Sequence, residues 1–233
     1  MATILRNSDQ NKIKVLYFPK EKLIRKITFN KKYYRYLNNE INGLQWYSKL
    51  IKEENNILDF DQNKNFYFLD IKIFNSKKNV FYRSIIENEN LIKSAINHYI
   101  KIWPTKKRVY YHGDLTVDNI LFNRKKIKFI DWELSGKNEI WGYDLVYLLI
   151  SSIFFPYDIN KNLTNNEKKV FKKLWFQLKT YNISKELLKD PIKYFTNIYK
   201  KDKWKQTFLD HPNKIYPKII DKKFKEILKN LII

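Results

Sequence analysis

The residues with the clearest chemical potential lie in His112-Gly113-Asp114-Leu115-Thr116-Val117-Asp118-Asn119 and, shortly afterwards, in Phe129-Ile130-Asp131-Trp132-Glu133. Asp114 and Asn119 are five positions apart, and Asp131 follows two short apolar runs that are separated by a polar turn. Apolar runs in this arrangement predict a β-hairpin. Because a hairpin returns the chain to its starting point, the sequence predicts that Asp131 lies beside Asn119.

These residue types are the ones that phosphoryl transfer requires. Mg2+ prefers oxygen ligands, keeps several waters, and is usually held by one or two protein side chains together with substrate phosphates. Asp131 and Asn119 are therefore predicted to hold Mg2+. Asp114 is predicted to accept a hydrogen bond from the attacking hydroxyl group and to orient that group in line with the γ-phosphate of ATP.

Simpler interpretations of the same residues stay open. Asp and Asn are common in turns because their side chains bond nearby backbone groups. Asp131 and Glu133 are also compatible with a pair of carboxylates on one face of a strand, as in a glycosidase. That interpretation gives Asp114 and Asn119 no role. His112 is expected to brace the loop by bonding backbone rather than to act as a base.

The combination of H-G-D-x-x-x-x-N with I-D-W-E resembles the aminoglycoside phosphotransferase and choline kinase family, whose fold is similar to that of protein kinases. The similarity continues through Glu133-Leu134-Ser135-Gly136 to Gly142-Tyr143-Asp144-Leu145 and covers about residues 109–150. The resemblance implies an α+β, two-lobed protein-kinase-like fold, with a small antiparallel sheet in the N-terminal lobe and a mainly helical C-terminal lobe.

The resemblance also implies roles for individual residues. Asp114 stands at the position of the catalytic aspartate, Asn119 and Asp131 stand at the positions of the metal ligands, and Asp144 has a structural role. The implied cofactors are ATP and Mg2+. We place the lobe boundary near residue 75, with a nucleotide-binding lobe at 1–75 and a catalytic and acceptor-binding lobe at 76–233.

The N-terminal third is expected to supply the nucleotide site. Residues 13–18 and 23–29 are predicted strands, and the apolar spacing that follows them predicts a helix. In the kinase arrangement, Lys26 would hold the α- and β-phosphates and pair with Glu40 of the helix. Strand alternation places Ile24 on the same face as Lys26, where it would cover the adenine. The competing candidates for the phosphate-binding cation are Lys22 and Arg25.

The chain departs from the protein-kinase pattern because no glycine precedes Gly43, so no G-x-G-x-x-G loop can cover the phosphates. Asn7-Ser8-Asp9-Gln10-Asn11 is the turn-rich segment ahead of the predicted strands, and Ser8 is expected to replace glycine amides with a hydroxyl group. A catalytically silent, nucleotide-binding relative of these kinases is therefore an alternative interpretation.

The formal net charge of +22 does not by itself indicate a nucleic-acid partner. Lysine is scattered along every segment, and the abundance of Lys, Asn, Ile, Tyr and Phe is typical of A/T-rich codons. A dedicated nucleic-acid binder concentrates basic and stacking aromatic residues on one surface. Nucleic acid is therefore not the expected partner, and a basic binding module for an acidic partner is the third interpretation.

The expected acceptor is a hydroxyl group of a small molecule, such as choline or ethanolamine, another amino alcohol, or a sugar. An aromatic box for a quaternary ammonium group is compatible with the tryptophans, although such residues are more often core; the candidates are Trp132, Trp141, Trp175 and Trp204. The chain has no cysteine and no apolar run long enough to span a bilayer. A cytoplasmic protein without a membrane span is expected, and its oligomeric state is left open.

Overall fold

The structure is a computed structural model, and it describes residues 3–6, 13–73, 84–123, 126–154, 163–201 and 222–227. Contacts within the chain divide it into two compact units. We call the first, Met1–Ser76 with Ile130–Ser135, the sheet unit, and the second, Lys77–Phe129 with Gly136–Ile233, the helical unit.

The described residues of the sheet unit form one five-stranded antiparallel sheet with the strand order β1-β2-β3-β5-β4. The strands are β1 (Thr3–Arg6), β2 (Lys14–Phe18), β3 (Leu23–Thr28), β4 (Ile57–Gln62) and β5 (Tyr67–Lys72). Strand β3 is central, and its Lys26 is opposite Val15 on one side and Leu69 on the other. A residue in the middle of a sheet is held by ladder hydrogen bonds on both sides, so the backbone at Lys26 is well fixed.

One long helix covers this sheet. After a short 3-10 helix at Lys31–Tyr33, whose Lys32 N–H donates to the side chain of Asn30, α1 extends over Tyr34–Ile51. Leu37 and Ile41 are buried in a core shared with Tyr67 and Leu69 of β5. The helix predicted from the apolar spacing after the strands is therefore confirmed, and its apolar residues form a core face.

The short segment Ile130–Ser135 packs against α1. Trp132 is fully buried, and its ring lies 5.1 Å from that of Tyr47. Asn39 Nδ2 donates to the carbonyl oxygen of Glu133 at 3.1 Å, and Ser135 Oγ donates to the carbonyl oxygen of Asn39 at 3.0 Å. These contacts fix the segment that carries Asp131 to the helix.

Gly43 makes this close packing possible. A Cβ atom at this position would lie 2.6 Å from Trp132 Cβ and 2.8 Å from Ser135 Oγ. In an exposed helix, Gly→Ala stabilises by about 1 kcal/mol. Here we expect the opposite sign: Gly43→Ala should lower the free energy of unfolding by about 1–3 kcal/mol in urea titrations, because the added methyl group overpacks the contact.

Asn42→Ala provides the matched control, because Asn42 is exposed on the same turn of α1. This variant should be neutral or slightly stabilising, since alanine has the higher helix propensity. A stabilised Gly43→Ala protein would show that the contact between α1 and Trp132 is looser than the structure has it.

The described residues of the helical unit form five α-helices with assigned bounds and two small antiparallel strand pairs. The helices are α2 (Ile85–Ile102), α3 (Tyr143–Phe154), α4 (Asn165–Lys179), α5 (Lys185–Lys189) and α6 (Pro191–Lys201), with a further helical stretch at 222–227. The strand pairs are β6 (Arg108–Tyr111) with β9 (Gly136–Ile140) and β7 (Ile120–Asn123) with β8 (Lys126–Phe129). No helix in the described parts of the chain is both long and apolar enough to cross a membrane.

Helix α3 lies at the centre of the helical unit. Its residues Leu145, Val146, Leu148, Leu149 and Ile150 are all inaccessible to solvent. A helix that is apolar on every side is buried on every side, and α3 packs against both α2 and α4. Any polar side chain on α3 is therefore held in a rigid, largely dry environment.

The predicted fold class, α+β with an antiparallel sheet and a mainly helical second part, is confirmed. The predicted hairpin is present, with Ile120 opposite Phe129. The amphipathic spacing of residues 184–200 predicts one helix, and that prediction is wrong, because the helix breaks at Asp190 into α5 and α6. A residue that precedes proline is disfavoured in the helical conformation, and Pro191 follows.

Candidate functional site

The sheet unit brings together three of the residues predicted to act in the site. The side chain of Lys26 is nearly buried, and its Nζ atom lies 3.1 Å from Glu40 Oε2. The same Nζ atom donates a hydrogen bond to Asp131 Oδ1. We call Lys26, Glu40 and Asp131 the lysine cluster. Strand β3, helix α1 and the segment Ile130–Ser135 thus each contribute one charged side chain.

The charged groups of the lysine cluster shift one another's pKa values. Burial by itself would lower the pKa of Lys26, but the surrounding carboxylates outweigh it and raise that pKa well above its usual value. These carboxylates belong to Asp131, Glu40 and Glu133. Burial raises the pKa of Glu40 to about 8, while the ammonium group of Lys26 acts in the opposite direction. Lys26 therefore remains a cation at every physiological pH.

Asp131 has an unusual backbone conformation. Its φ angle is +65°, in the left-handed region, where Asp is tolerated better than most residues. Non-glycine residues in sparsely populated backbone regions are concentrated at functional sites. The strained backbone is held by the contacts of its neighbours Trp132 and Glu133 with α1 and by the bond from Lys26.

The two competing cations lie elsewhere in the sheet unit. Lys22 is an exposed turn residue with φ +52°. Arg25 donates two hydrogen bonds to the carboxylate of Asp70, at 2.7 and 2.6 Å, and its guanidinium group lies over the ring of Phe68. Neither residue has the buried contact with an α1 carboxylate that Lys26 has.

The remaining nucleotide-site candidates have different outcomes. Ile24 is half-buried on β3, two residues before Lys26 and therefore on the same face of the strand. Ser8 lies outside the described residues. The roles predicted for both stay predictions.

The helical unit brings together the other two predicted residues. Asn119, at the end of a 3-10 helix over Val117–Asn119, donates from Nδ2 to the carbonyl oxygen of Asp114 at 2.7 Å. The same nitrogen lies 3.4 Å from Asp114 Oδ2. Because the amide nitrogen makes both contacts, the amide oxygen is the atom of Asn119 that suits a hard cation. The predicted proximity of Asn119 to Asp131 stays a prediction.

His112 braces the loop, as expected. Its side chain is fully buried, and the backbone N–H of Asp114 donates to its Nδ1 atom at 3.3 Å. A ring nitrogen that accepts a hydrogen bond carries no proton. His112 is therefore bound to the backbone of the loop at Nδ1.

Asp144 fixes the backbone of the same loop. The carboxylate lies in the first turn of α3, is fully buried, and accepts hydrogen bonds from the N–H groups of His112 at 2.9 Å and Gly113 at 3.0 Å. Burial raises the pKa of Asp144 to about 7, and the two N–H donors oppose this effect. These two hydrogen bonds indicate that Asp144 holds the loop that contains His112 and Gly113 in place.

This pKa shift predicts how stability depends on pH. The pKa of Asp144 is higher in the folded protein, about 7, than its ordinary value of 3.8, so the folded state binds more protons between these values. Stability must then fall as pH rises across that range, by an amount on the order of 4 kcal/mol from this group. In Asp144→Asn this pH-dependent contribution to stability should vanish. Urea unfolding of both proteins between pH 4 and pH 7 measures the difference.

The control for this experiment is Asp61→Asn, which removes an exposed carboxylate. The free energy of unfolding of this variant should follow the wild-type pH dependence. Parallel curves for wild type and Asp144→Asn would show that Asp144 titrates as an ordinary carboxyl group.

One residue beside Asp114 was not found from the sequence. The hydroxyl group of Tyr147, on α3, donates to Asp114 Oδ1 at 3.0 Å. The sequence contains a signal for this residue. Tyr147 follows Asp144 by three positions and so lies on the same side of the helix.

Residues 77–165 match the model of the phosphotransferase enzyme family APH. The matched segment contains the whole stretch over which the sequence resembles these enzymes, so the predicted family resemblance is confirmed. It includes Asp114, Asn119 and Asp131. The search of curated proteins found no match.

Two solved structures of phosphotransferases are similar to the chain. One is the aminoglycoside-3'-phosphotransferase of type VIII, at 12% sequence identity and a TM-score of 0.50, over 81% of this chain and 90% of that one. The other is the amicoumacin kinase hAmiN in complex with AMP-PNP, Ca2+ and Ami, at 12% identity and a TM-score of 0.50, over 98% of this chain and 88% of that one. At this identity the similarity establishes the kinase-like fold.

Asn119 and Asp131 each carry a donor whose chemistry suits Mg2+. Asn119 offers an amide oxygen, and Asp131 offers a carboxylate whose side chain is one-third exposed. Within the described ranges, no group of three or more His, Cys, Asp or Glu side chains is placed to hold a metal ion. A Mg2+ ion held together with ATP phosphates needs no such group.

Proposed function

We propose that the protein is an ATP-dependent phosphotransferase that moves the γ-phosphate to a hydroxyl group of a small molecule. The observation that carries the proposal is the lysine cluster, in which a buried strand lysine contacts both a helix glutamate and the aspartate of I-D-W-E. Its support is the match of residues 77–165 to a phosphotransferase family. In kinases, a lysine and glutamate pair of this kind holds the phosphates of ATP.

The charges of the lysine cluster suit a complex of ATP with a divalent cation. One ammonium group lies among the acidic side chains of Glu40, Asp131 and Glu133, and the carboxylates among them favour a bound cation. Lys26 would bind the α- and β-phosphates while Glu40 holds its ammonium group in place. Ile24 would cover the adenine, and Ser8 would contribute a hydroxyl group to the phosphates.

The loop of the helical unit over residues 112–119, which we call the catalytic loop, would supply the remaining groups. Asp114 would accept the hydrogen bond of the acceptor hydroxyl and orient its oxygen for attack on the γ-phosphate. Asn119 and Asp131 would hold Mg2+. The chain between Asn119 and Asp131 forms the β7–β8 hairpin, in which Ile120 is opposite Phe129. Mg2+, when bound, neutralises charge on the phosphates.

The acceptor belongs to the class of small molecules with a hydroxyl group, such as choline, ethanolamine, another amino alcohol or a sugar. The aromatic box for a quaternary ammonium group has little support, because Trp132, Trp141 and Trp175 are all buried core residues. Trp204 lies outside the described residues. An acceptor without a quaternary ammonium group is therefore the better first choice.

Two measurements test the proposal. The first is thermal unfolding with ATP and Mg2+, because a ligand that binds the folded state stabilises it, by about 2.7 kcal/mol at about 100 times its Kd. We expect protection that disappears when EDTA removes the metal. The second is ADP release with a panel of amino alcohols and sugars, with the phosphorylated product identified by 31P NMR.

The outcomes separate the proposed function from its alternatives. Protection together with acceptor-dependent ADP release supports the phosphotransferase. Protection without ADP release from any acceptor favours a catalytically silent, nucleotide-binding relative. Absence of protection at millimolar ATP overturns the proposal and favours a basic binding module for an acidic partner.

A further inference from the structure

Asp114 has a partner outside the motifs that identify the catalytic loop. The hydroxyl group of Tyr147 donates a hydrogen bond to Asp114 Oδ1 at 3.0 Å. The side chain of Tyr147 is only 1% exposed. A buried hydroxyl group needs a hydrogen-bond partner, and here that partner includes the carboxylate on which the proposed chemistry depends.

Helix α3 contacts the catalytic loop through two of its side chains. Asp144, in its first turn, accepts hydrogen bonds from the backbone N–H groups of His112 and Gly113. Tyr147, three residues further along the same helix, contacts the side chain of the next loop residue, Asp114. The first contact fixes the path of the backbone, and the second fixes the direction of the carboxylate.

The ring of Tyr147 is itself held by aromatic neighbours. The ring of Phe195, on α6, meets it edge-on at a centroid distance of 5.6 Å, and the ring of Tyr143 stacks at 6.4 Å. Packed aromatic side chains in a buried helix have few alternative rotamers. The position of the hydroxyl group is therefore set by the core of the helical unit.

We propose that Tyr147 is a positioning residue for phosphoryl transfer, which fixes the carboxylate of Asp114 in the orientation that receives the acceptor hydroxyl. This inference rests on the proposed function. A hydrogen bond to an ionised group is stronger than one between neutral groups. A catalytic side chain that is held in place before the substrate binds loses less entropy when the reacting groups align.

Tyr147→Phe is the test, since it removes one hydroxyl group and leaves the ring. We expect kcat to fall by about tenfold to a hundredfold, while KM for ATP and Tm stay close to the wild-type values. The reaction is measured as ADP release with the fastest acceptor of the panel.

Tyr143→Phe is the matched control, because it removes another buried hydroxyl group from the same helix. Its kcat should be close to that of wild type. If Tyr147 had only a structural role, Tyr147→Phe would lower Tm and leave kcat unchanged at a temperature where the protein is folded. That result would overturn the inference.

The two failures are distinguishable. A folded wild-type protein that releases no ADP with any acceptor overturns the proposed function and the role of Tyr147 with it. An active wild type whose Tyr147→Phe variant is equally active overturns the role of Tyr147 alone. An increase in KM for ATP at constant kcat also overturns it, because the hydroxyl would then act in nucleotide binding.

Discussion

Asp114→Asn is expected to lower kcat by about 10²–10⁴-fold, the range over which positioned acid or base groups contribute. Asparagine has the same shape as aspartate but cannot accept the proton of the attacking hydroxyl. The backbone carbonyl of residue 114, to which Asn119 donates, is unchanged, so the loop should keep its path. KM for ATP and Tm should therefore change little, and steady-state kinetics with thermal unfolding measure both.

Asp118→Asn is the control for this variant. It makes the same chemical change four residues further along the loop, at a position with no role in the proposed reaction. Its kcat should stay close to that of wild type. If Asp114→Asn lost less than about tenfold in kcat, Asp114 would not be the catalytic residue.

The parts of the site that lie close together in sequence could be predicted from it. Asp114 and Asn119 belong to one loop, and Asn119 reaches the carbonyl oxygen of Asp114 across five residues. The hairpin after Asn119 followed from two apolar runs around a polar turn. In such cases the local pattern and the tertiary structure depend on the same residues.

Lys26 and Glu40 could be proposed as a pair only through the kinase arrangement. Strand alternation and helical spacing predict the face on which each side chain lies. They do not predict the distance between the two side chains. The geometry comes from the packing of α1 on β5, the strand next to β3 in the sheet, and both side chains are buried. The contact of Tyr147 with Asp114 was missed for the same reason, because it joins two elements 33 residues apart.

Two strands had weak signals in the sequence. Strand β4 is an edge strand with five of its six residues exposed, including Phe60 at 48%, so it has no buried face to produce an apolar alternation. Strand β9, Gly136-Lys137-Asn138-Glu139-Ile140, contains few residues with high strand propensity. Strand β9 is therefore identified from its pairing with β6 in the folded protein and not from its sequence. The break at Asp190, by contrast, had a signal in Pro191.

Lys26→Met is expected to have the other large effect, a loss of about 10²–10³-fold in kcat/KM for ATP, as for other groups that stabilise charge on the reacting substrate. Methionine keeps most of the volume of lysine but removes the cation that Glu40 and Asp131 share. Lys14→Met, on the exposed start of β2, is the control. Its kinetics should match those of wild type.

A stability measurement separates the structural from the catalytic part of this effect. Without Lys26, burial and the nearby carboxylates of Asp131 and Glu133 act on Glu40 unopposed, so its pKa should rise further above the value of about 8 in the wild type. The folded state then keeps this proton to a higher pH than in wild type, so the stability of Lys26→Met should continue to fall with rising pH above pH 8, where that of wild type levels off. Glu40→Gln in the same protein removes the buried carboxylate. The double variant should regain stability at neutral pH without regaining kcat/KM for ATP. Recovery of both would mean that Lys26 only neutralises Glu40 and does not bind ATP.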